Sequence, residues 1–284
     1  MKKRTISMVL PSMIAGGGGR VFIKQPIPRP QVNQISPFVL LHHFGPIELT
    51  PNEESLGFGA HPHRGFMPVT FLFDGAMHHK DSLGNEGTIV SGGVQWLNAA
   101  SGVIHAETQP EEFKKTGGMI DGIQLWINLP ARFKSAAPTY TNLPKDTLPV
   151  ISKDGYNVKV VSGVFADVTG PAAPPIPIDA FMIEMDADST LELPTRTGWN
   201  AMVFALYGDV SIDGQAIHGD ELAVLSDEGE SVSITSKKPS RLLFVAGEPI
   251  DEEMYSYGPF VMNTEMEIGL AYADYKSGKM GKVA

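Results

Sequence analysis

The chain has 284 residues, a formal net charge of -10 and 42% hydrophobic residues, which suits two domains that each bury a core. No dense basic run follows Lys2-Lys3-Arg4, which argues against direct nucleic-acid binding. The absence of cysteine excludes disulfides, thiolate nucleophiles and iron–sulfur clusters.

The first predicted strand covers residues 6–10, directly after the basic N-terminus. A basic segment before an apolar run could form a signal peptide, but Pro11 interrupts the run. We therefore expect a strand that leads into a turn at Gly16–Gly19 and a protein located in the cytoplasm. No apolar run reaches membrane-spanning length, so we expect no membrane partner.

Short segments rich in Val, Ile, Phe and Thr, separated by Gly, Pro or Asn, predict an all-β protein. In the first half these segments are residues 6–10, 20–24, 38–44, 67–73, 87–90, 94–99 and 120–128. In the second half they are residues 156–165, 179–186, 200–207, 210–212, 220–225, 230–235 and 241–246. Their spacing is typical of barrels or sandwiches.

The two halves resemble each other weakly, which indicates a duplicated β-domain. The matching segments are 69–75 with 202–208 and 92–96 with 219–223. In this register His61 and His63 correspond to Pro194 and Arg196, so we expect the second half to lack whatever the two histidines do.

A proline-containing segment without periodicity, residues 138–149, is the predicted linker. We therefore expect a first barrel over residues 1–137 and a second over 150–284. Apolar residues at near-helical spacing (Met266, Leu270, Ala273) predict a short C-terminal helix that starts after Asn263 or Thr264.

Two short motifs carry the candidate chemistry. His61-Pro62-His63 places two imidazoles on one face of a strand, and His105-Ala106-Glu107 repeats that arrangement. An isolated His-x-His is usually polar surface, but two such motifs on neighbouring strands can direct three imidazoles and one carboxylate to one point. This donor set suits one divalent transition metal, with Fe(II), Mn, Ni, Cu and Zn as the candidates.

Two other histidine pairs are adjacent in sequence, so their members face opposite sides of a strand. At most one of His42 and His43 can face a core. We expect His78 and His79 to be turn or rim residues, although one of them could line a pocket.

Five stretches closely resemble the pirin family, a branch of the cupin superfamily. They are SPFVLLHHFGP (36–46), HPHRGF (61–66), HKDSLGNEG (79–87), QWLNAASGVIHAE (95–107) and YGPFVMNT (257–264). The resemblance implies two tandem cupin (double-stranded β-helix) barrels. It also implies one metal, usually iron, in the N-terminal barrel, with His61, His63, His105 and Glu107 as ligands.

The resemblance also implies two kinds of function. Some family members are quercetin 2,3-dioxygenases, which open a flavonol ring with O2 and release carbon monoxide. Others are described as regulators that bind transcription factors or metabolic enzymes. We therefore expect a dioxygenase, with a non-catalytic metal-sensing regulator that binds a protein partner as the alternative.

One departure from the family pattern affects the expected chemistry. The family usually continues HPHRGF with Glu, and this chain has Met67. A carboxylate near that position can take the substrate proton in related cupins, and a thioether cannot. Glu107 is then the predicted catalytic residue, and Phe66, Met67 and Trp96 are the predicted lining of a pocket for a flat aromatic substrate.

Overall fold

The computed structural model describes residues 2–18, 21–53 and 57–283. The chain divides into two compact units. The histidine unit comprises Gly17–Ile23, Phe44–Lys145 and Ile250–Ala284, and the second unit comprises Met1–Gly16, Lys24–His43 and Asp146–Pro249. Within the described residues, no helix is long and apolar enough to cross a membrane.

Strands dominate both units. Up to residue 143 the elements are β1 (Ile6–Pro11), β2 (Met13–Gly18), β3 (Val21–Ile27), β4 (Phe38–Leu49), β5 (Phe58–His63), β6 (Phe66–Asp74), β7 (Ala76–Asp81), β8 (Glu86–Val90), β9 (Val94–Asn98), β10 (Val103–Thr108), α1 (Glu111–Thr116), β11 (Gly118–Asn128), α2 (Ala131–Lys134) and β12 (Thr139–Leu143).

A 3₁₀ turn at Lys145–Thr147 follows. The remaining elements are β13 (Val150–Lys153), β14 (Tyr156–Ser162), β15 (Val164–Phe165), β16 (Val168–Thr169), β17 (Ile178–Met185), β18 (Thr190–Pro194), β19 (Asn200–Tyr207), β20 (Asp209–Ile212), β21 (Gln215–His218), β22 (Glu221–Leu225), β23 (Ser231–Ser236), β24 (Ser240–Gly247), β25 (Tyr255–Tyr257), β26 (Phe260–Met262) and α3 (Glu265–Lys276).

The same strand order occurs in both units. In the histidine unit a four-stranded sheet has the order β5-β10-β7-β8, and the larger sheet contains β12-β9-β6-β11-β4. In the second unit the corresponding orders are β18-β23-β20-β21 and β1-β22-β19-β24-β17-β14-β13. The equivalence of β6 with β19 and of β9 with β22 agrees with the register of the sequence repeat.

The structure divides the chain at other places than the predicted boundaries 1–137, 138–149 and 150–284. Strand β1 pairs with β22, from Ile6↔Leu225 to Pro11↔Glu221, so the N-terminal strand belongs to the second unit. The predicted linker contains β12, which pairs with β9. Both strands complete a sheet edge, and such long-range pairing leaves no signature in local composition.

The turn predicted at Gly16–Gly19 is only partly described. Gly16 to Gly18 end strand β2, whereas residues 19–20 lie outside the described part of the chain. The adjacent pair His42 and His43 behaves as alternation requires, because His43 is fully buried and His42 only partly.

Apolar side chains fill the interior of the second unit. Leu193, Val203 and Phe244 are each 0% exposed and belong to one large cluster. Near the positions that correspond to the metal motif, Arg196 stacks its guanidinium on Trp199 at 4.2 Å. That this unit binds no metal stays a prediction.

The C-terminal helix is confirmed, but the apolar residues whose spacing predicted it, Met266, Leu270 and Ala273, are exposed. Thr264 caps α3, since its Oγ1 accepts from the Glu267 amide at 3.2 Å. Ile268 and Ala271 are buried, whereas Met266 and Leu270 are 73% and 55% exposed. Apolar residues lie on several sides of this helix, so their spacing alone could not identify the packed face.

Truncation of the buried face should destabilise the histidine unit. Ile268 packs with Ile104, Phe260 and Met280, so Ile268→Ala should lower the free energy of unfolding by about 2–4 kcal/mol. Leu270→Ala on the exposed face should change it by less than about 0.5 kcal/mol. Urea unfolding of both variants measures the difference, and equal effects would contradict this packing.

Candidate metal centre

Strand pairing brings the two histidine motifs together. In the antiparallel pair β5–β10, His105 lies directly opposite His61, and His63 lies two residues along on the same face. The ring centroids are 4.4 Å apart for His61–His105, 4.7 Å for His61–His63 and 4.8 Å for His63–His105. One potential ligand nitrogen from each ring lies within 4.8 Å of the others.

Hydrogen bonds fix which nitrogen of two rings carries the proton. His61 Nδ1 lies 2.8 Å from the Gly59 carbonyl oxygen, and His63 Nδ1 lies 3.3 Å from the Pro259 carbonyl oxygen. A carbonyl only accepts, so both Nδ1 atoms carry a proton, and Nε2 of each ring is the atom left to bind a metal. These two Nε2 atoms face each other at 3.1 Å.

His105, the third ring, also directs its Nε2 into the candidate centre. His105 is 2% exposed, and its buried Nε2 has no hydrogen-bond partner. Its Nδ1 lies 3.4 Å from His79 Nδ1. The Nε2 atoms of three imidazoles therefore converge in one largely buried place, where a bound cation would offset the repulsion between their lone pairs. These residues fit a transition metal, as neutral imidazoles do generally.

Burial keeps the rings of His63 and His105 in the neutral form that can bind a metal. Burial, reinforced by the neighbouring His61, lowers the pKa of His63 to about 3, against the opposing effect of the Pro259 carbonyl. Burial and then the nearby histidines lower the pKa of His105 well below its usual value. Both rings are neutral at pH 7, so no proton must leave them before a metal binds.

The carboxylate of Glu107 is buried beside the histidines and held by two donors. Thr70 Oγ1 donates to Glu107 Oε1 at 3.0 Å, and Gln124 Nε2 donates to Glu107 Oε2 at 2.8 Å. Trp126 Nε1 in turn donates to Gln124 Oε1 at 3.1 Å. Glu107 lies outside the group of mutually close ligand atoms, which His61, His63 and His105 form, so its role as a metal ligand stays a prediction.

An aromatic pair lies against one of the histidines. The rings of Phe66 and Trp126 lie 4.2 Å apart at 31°, and they approach the His63 ring to 5.0 and 5.2 Å. Phe66 is fully buried, whereas Trp126 is partly accessible. Of the three predicted pocket residues, Phe66 therefore lies beside the candidate metal centre.

Met67 and Trp96 face away from the candidate centre, in contrast to their predicted role as pocket lining. Thr70 bonds to Glu107, so its face of β6 is the one turned to the histidines. Met67 lies three residues away and therefore on the opposite face. Trp96 is paired with Val69 on that opposite face, and its Nε1 lies 3.4 Å from Met67 Sδ.

Several residues of the centre were not singled out in the sequence. His79 was expected at a turn or rim, yet it is 1% exposed and next to His105, because it lies opposite Glu107 in the β7–β10 pair. Asp81 lies in the stretch HKDSLGNEG (79–87) that resembles the pirin family, whereas Gln124 and Trp126 belong to no motif. Two signals in the sequence concern His79: it begins that family-like stretch, and it belongs to an adjacent pair, which requires one inward-facing member but does not say which.

The repeated barrel order and the three converging imidazoles define a two-domain cupin protein. Residues 20–127 match the family described as Pirin, and residues 180–281 match the Pirin C-terminal cupin domain. The chain belongs to the pirin family, and the predicted fold of two cupin barrels is confirmed.

Individual relatives support this assignment over nearly the whole chain. Pirin of Homo sapiens is 35% identical over 99% of this chain and 94% of its own length. A pirin-like protein of Caulobacter vibrioides is 35% identical over 98% of this chain and 100% of its own. The crystal structure of a quercetin 2,3-dioxygenase from Acinetobacter baumannii has 32% identity, complete coverage of both chains and a TM-score of 0.94.

Loss of one converging imidazole should empty the candidate centre. We expect about one transition-metal ion per wild-type chain. Replacing a residue that supports a metal ligand typically weakens metal binding by roughly 10–100-fold. His105→Ala removes a candidate ligand itself and should therefore weaken metal binding more. Elemental analysis after purification measures the metal content. His218→Ala, at an exposed histidine bonded to Asp209, is the control, and unchanged metal in His105→Ala would refute the centre.

A carboxylate at position 67 should be destabilising rather than catalytic. Met67 is 0% exposed, so Met67→Glu would bury a carboxyl group among apolar neighbours and cost about 3 kcal/mol or more. Met67→Leu conserves volume and should cost less than about 1.5 kcal/mol. Chemical unfolding compares the two, and a Met67→Glu protein of wild-type stability would contradict the assigned strand face.

Proposed function

We propose that this protein is a metal-dependent dioxygenase that opens a flavonol such as quercetin with O2, and that the metal is iron. The observation that carries the proposal is the convergence of three imidazoles near a buried, tethered carboxylate. Similarity to a quercetin 2,3-dioxygenase over the whole chain supports the substrate class. We further propose a cytoplasmic location.

The metal would be held by His61, His63 and His105, with Glu107 as a further ligand or as a free base. A bound transition metal supplies a Lewis acid that makes a coordinated hydroxyl group more acidic, together with redox chemistry towards O2. A side chain must then receive the hydroxyl proton of the substrate, and we assign this role to Glu107, which lies two residues from His105 on the same face of β10.

The hydrogen bonds around Glu107 favour one oxygen as the proton carrier. The Trp126 N–H can only donate, so it fixes Gln124 with Oε1 towards Trp126 and an N–H towards Glu107 Oε2. That amide cannot accept a proton. The Thr70 hydroxyl at Oε1 can rotate from donor to acceptor. A proton taken from the substrate therefore fits on Glu107 Oε1, where Thr70 can accept its hydrogen bond.

The aromatic pair offers a surface for a flat substrate. Trp126 is partly accessible and lies within 5.2 Å of the His63 ring centroid. A flavonol ring stacked there would be positioned next to the converging nitrogens and would exclude water from them. Offset stacking of this kind contributes roughly 0.5–1.5 kcal/mol beyond area burial.

Oxygen consumption with quercetin tests the proposal. Iron-loaded wild type should consume O2 and release carbon monoxide. Glu107→Gln should lower kcat by about 10²–10⁴-fold, the usual contribution of a general base. Thr70→Val should lower kcat less, because it removes only the partner that accepts from protonated Oε1.

Thr88→Val is the matched control for Thr70→Val, since Thr88 bonds to the outward-facing His78 rather than to Glu107. It should leave kcat unchanged. Iron-loaded wild type that consumes no O2 and releases no carbon monoxide, with occupancy confirmed, would refute the dioxygenase. That result would leave a metal-binding regulator with a protein partner as the remaining function.

A further inference from the structure

The three converging histidines differ in what lies behind them. His61 and His63 each direct Nδ1 at a neutral backbone carbonyl, of Gly59 and Pro259 respectively. His105 instead directs Nδ1 at the side chain of His79, at 3.4 Å. His79 continues to Asp81, with its Nε2 3.2 Å from Asp81 Oδ2. Among the three rings, His105 is the one connected to a carboxylate.

The proton positions along this series of hydrogen bonds follow from the Asp81 carboxylate, which can only accept. Asp81 Oδ2 accepts, so His79 Nε2 carries the proton and His79 Nδ1 is bare in the neutral ring. His79 Nδ1 can then accept from His105 Nδ1–H, which leaves His105 Nε2 as the free lone pair. This is the atom that is buried without a hydrogen-bond partner in the candidate centre.

His79 and Asp81, at the far end of this series of hydrogen bonds, are rigidly held. Asp81 is 3% exposed and accepts from the amides of Leu83 and Asn85 at 2.9 and 3.0 Å. The His79 ring stacks on Tyr140 with a centroid distance of 4.0 Å and an interplanar angle of 6°. Neither His79 nor Asp81 can turn without losing these contacts.

We propose that His79 and Asp81 are positioning residues that set the orientation and tautomer of His105 and strengthen it as a metal donor. A ligand histidine that donates its other N–H towards a carboxylate is held in place and becomes more basic. The proposal rests on the proposed metal centre. It makes His105 the strongest imidazole donor of the three.

Co(II) binding to the purified full-length protein tests the proposal without reference to catalysis. The dissociation constant is measured by competition with a chromophoric chelator, and the visible absorption of bound Co(II) reports the ligand geometry. His79→Phe keeps the stacking on Tyr140 but cannot accept from His105. It should bind Co(II) about 10–100-fold more weakly and with shifted absorption bands.

Three further variants separate positioning from structural effects. His78→Phe makes the same change on the same strand, at a residue bonded to Thr88 and Glu86, and should leave affinity and spectrum unchanged. His79→Gln can both accept and donate, so it should restore most of the affinity. Asp81→Asn keeps an acceptor for the loop amides but puts an NH2 group in place of the oxygen that accepts from His79 and from the Asn85 side chain, and should weaken binding about 10-fold.

The outcomes distinguish the two proposals. Wild type that binds no Co(II) would remove the metal centre and with it the proposed function. Wild-type binding with unchanged affinity and spectrum in His79→Phe and Asp81→Asn would overturn the positioning role alone. If His79→Phe does not fold, as judged by circular dichroism, Asp81→Asn and His79→Gln decide the question by the same two measurements.

Discussion

The centre of the histidine unit is constrained by lone pairs that point at one another. His61 Nε2 and His63 Nε2 lie 3.1 Å apart, and each is bare because its ring donates through Nδ1 to a carbonyl. A metal ion held by both nitrogens would relieve this contact. The β5–β10 register, the carbonyl of Pro259 and the burial of His105 all maintain the same arrangement.

Strand alternation made the grouping of the candidate ligands predictable from sequence. A two-residue spacing puts His61 with His63, and His105 with Glu107, on common faces, and the structure places the three histidines together. The same rule was available for Phe66 and Met67, which are adjacent and cannot share a face. The two residues therefore cannot both line the pocket. Phe66 lies beside His63, whereas Met67 contacts Trp96 on the opposite face.

What the sequence could not supply was the identity of strand neighbours. His79 faces inward because β7 pairs with β10, and Gln124 reaches Glu107 because β11 pairs with β6. These pairings join residues far apart in the chain, and no local pattern records them. For the same reason the sequence does not reveal that β1 pairs with a strand more than half the chain away.

The carbonyl that accepts from His63 Nδ1 belongs to Pro259, close to the C-terminal end of the sequence. Pro259 precedes β26, and the backbone around β26 is fastened to the histidine unit, since the Val261 amide donates to the Arg64 carbonyl and Lys134 Nζ donates to the Val261 carbonyl. During translation His61, His63 and His105 leave the ribosome long before Pro259. The nascent unit therefore lacks the group that fixes the His63 tautomer. A metal that binds these histidines would therefore meet the complete centre only after the C-terminal segment has docked, which would separate synthesis of the ligands from maturation of the centre.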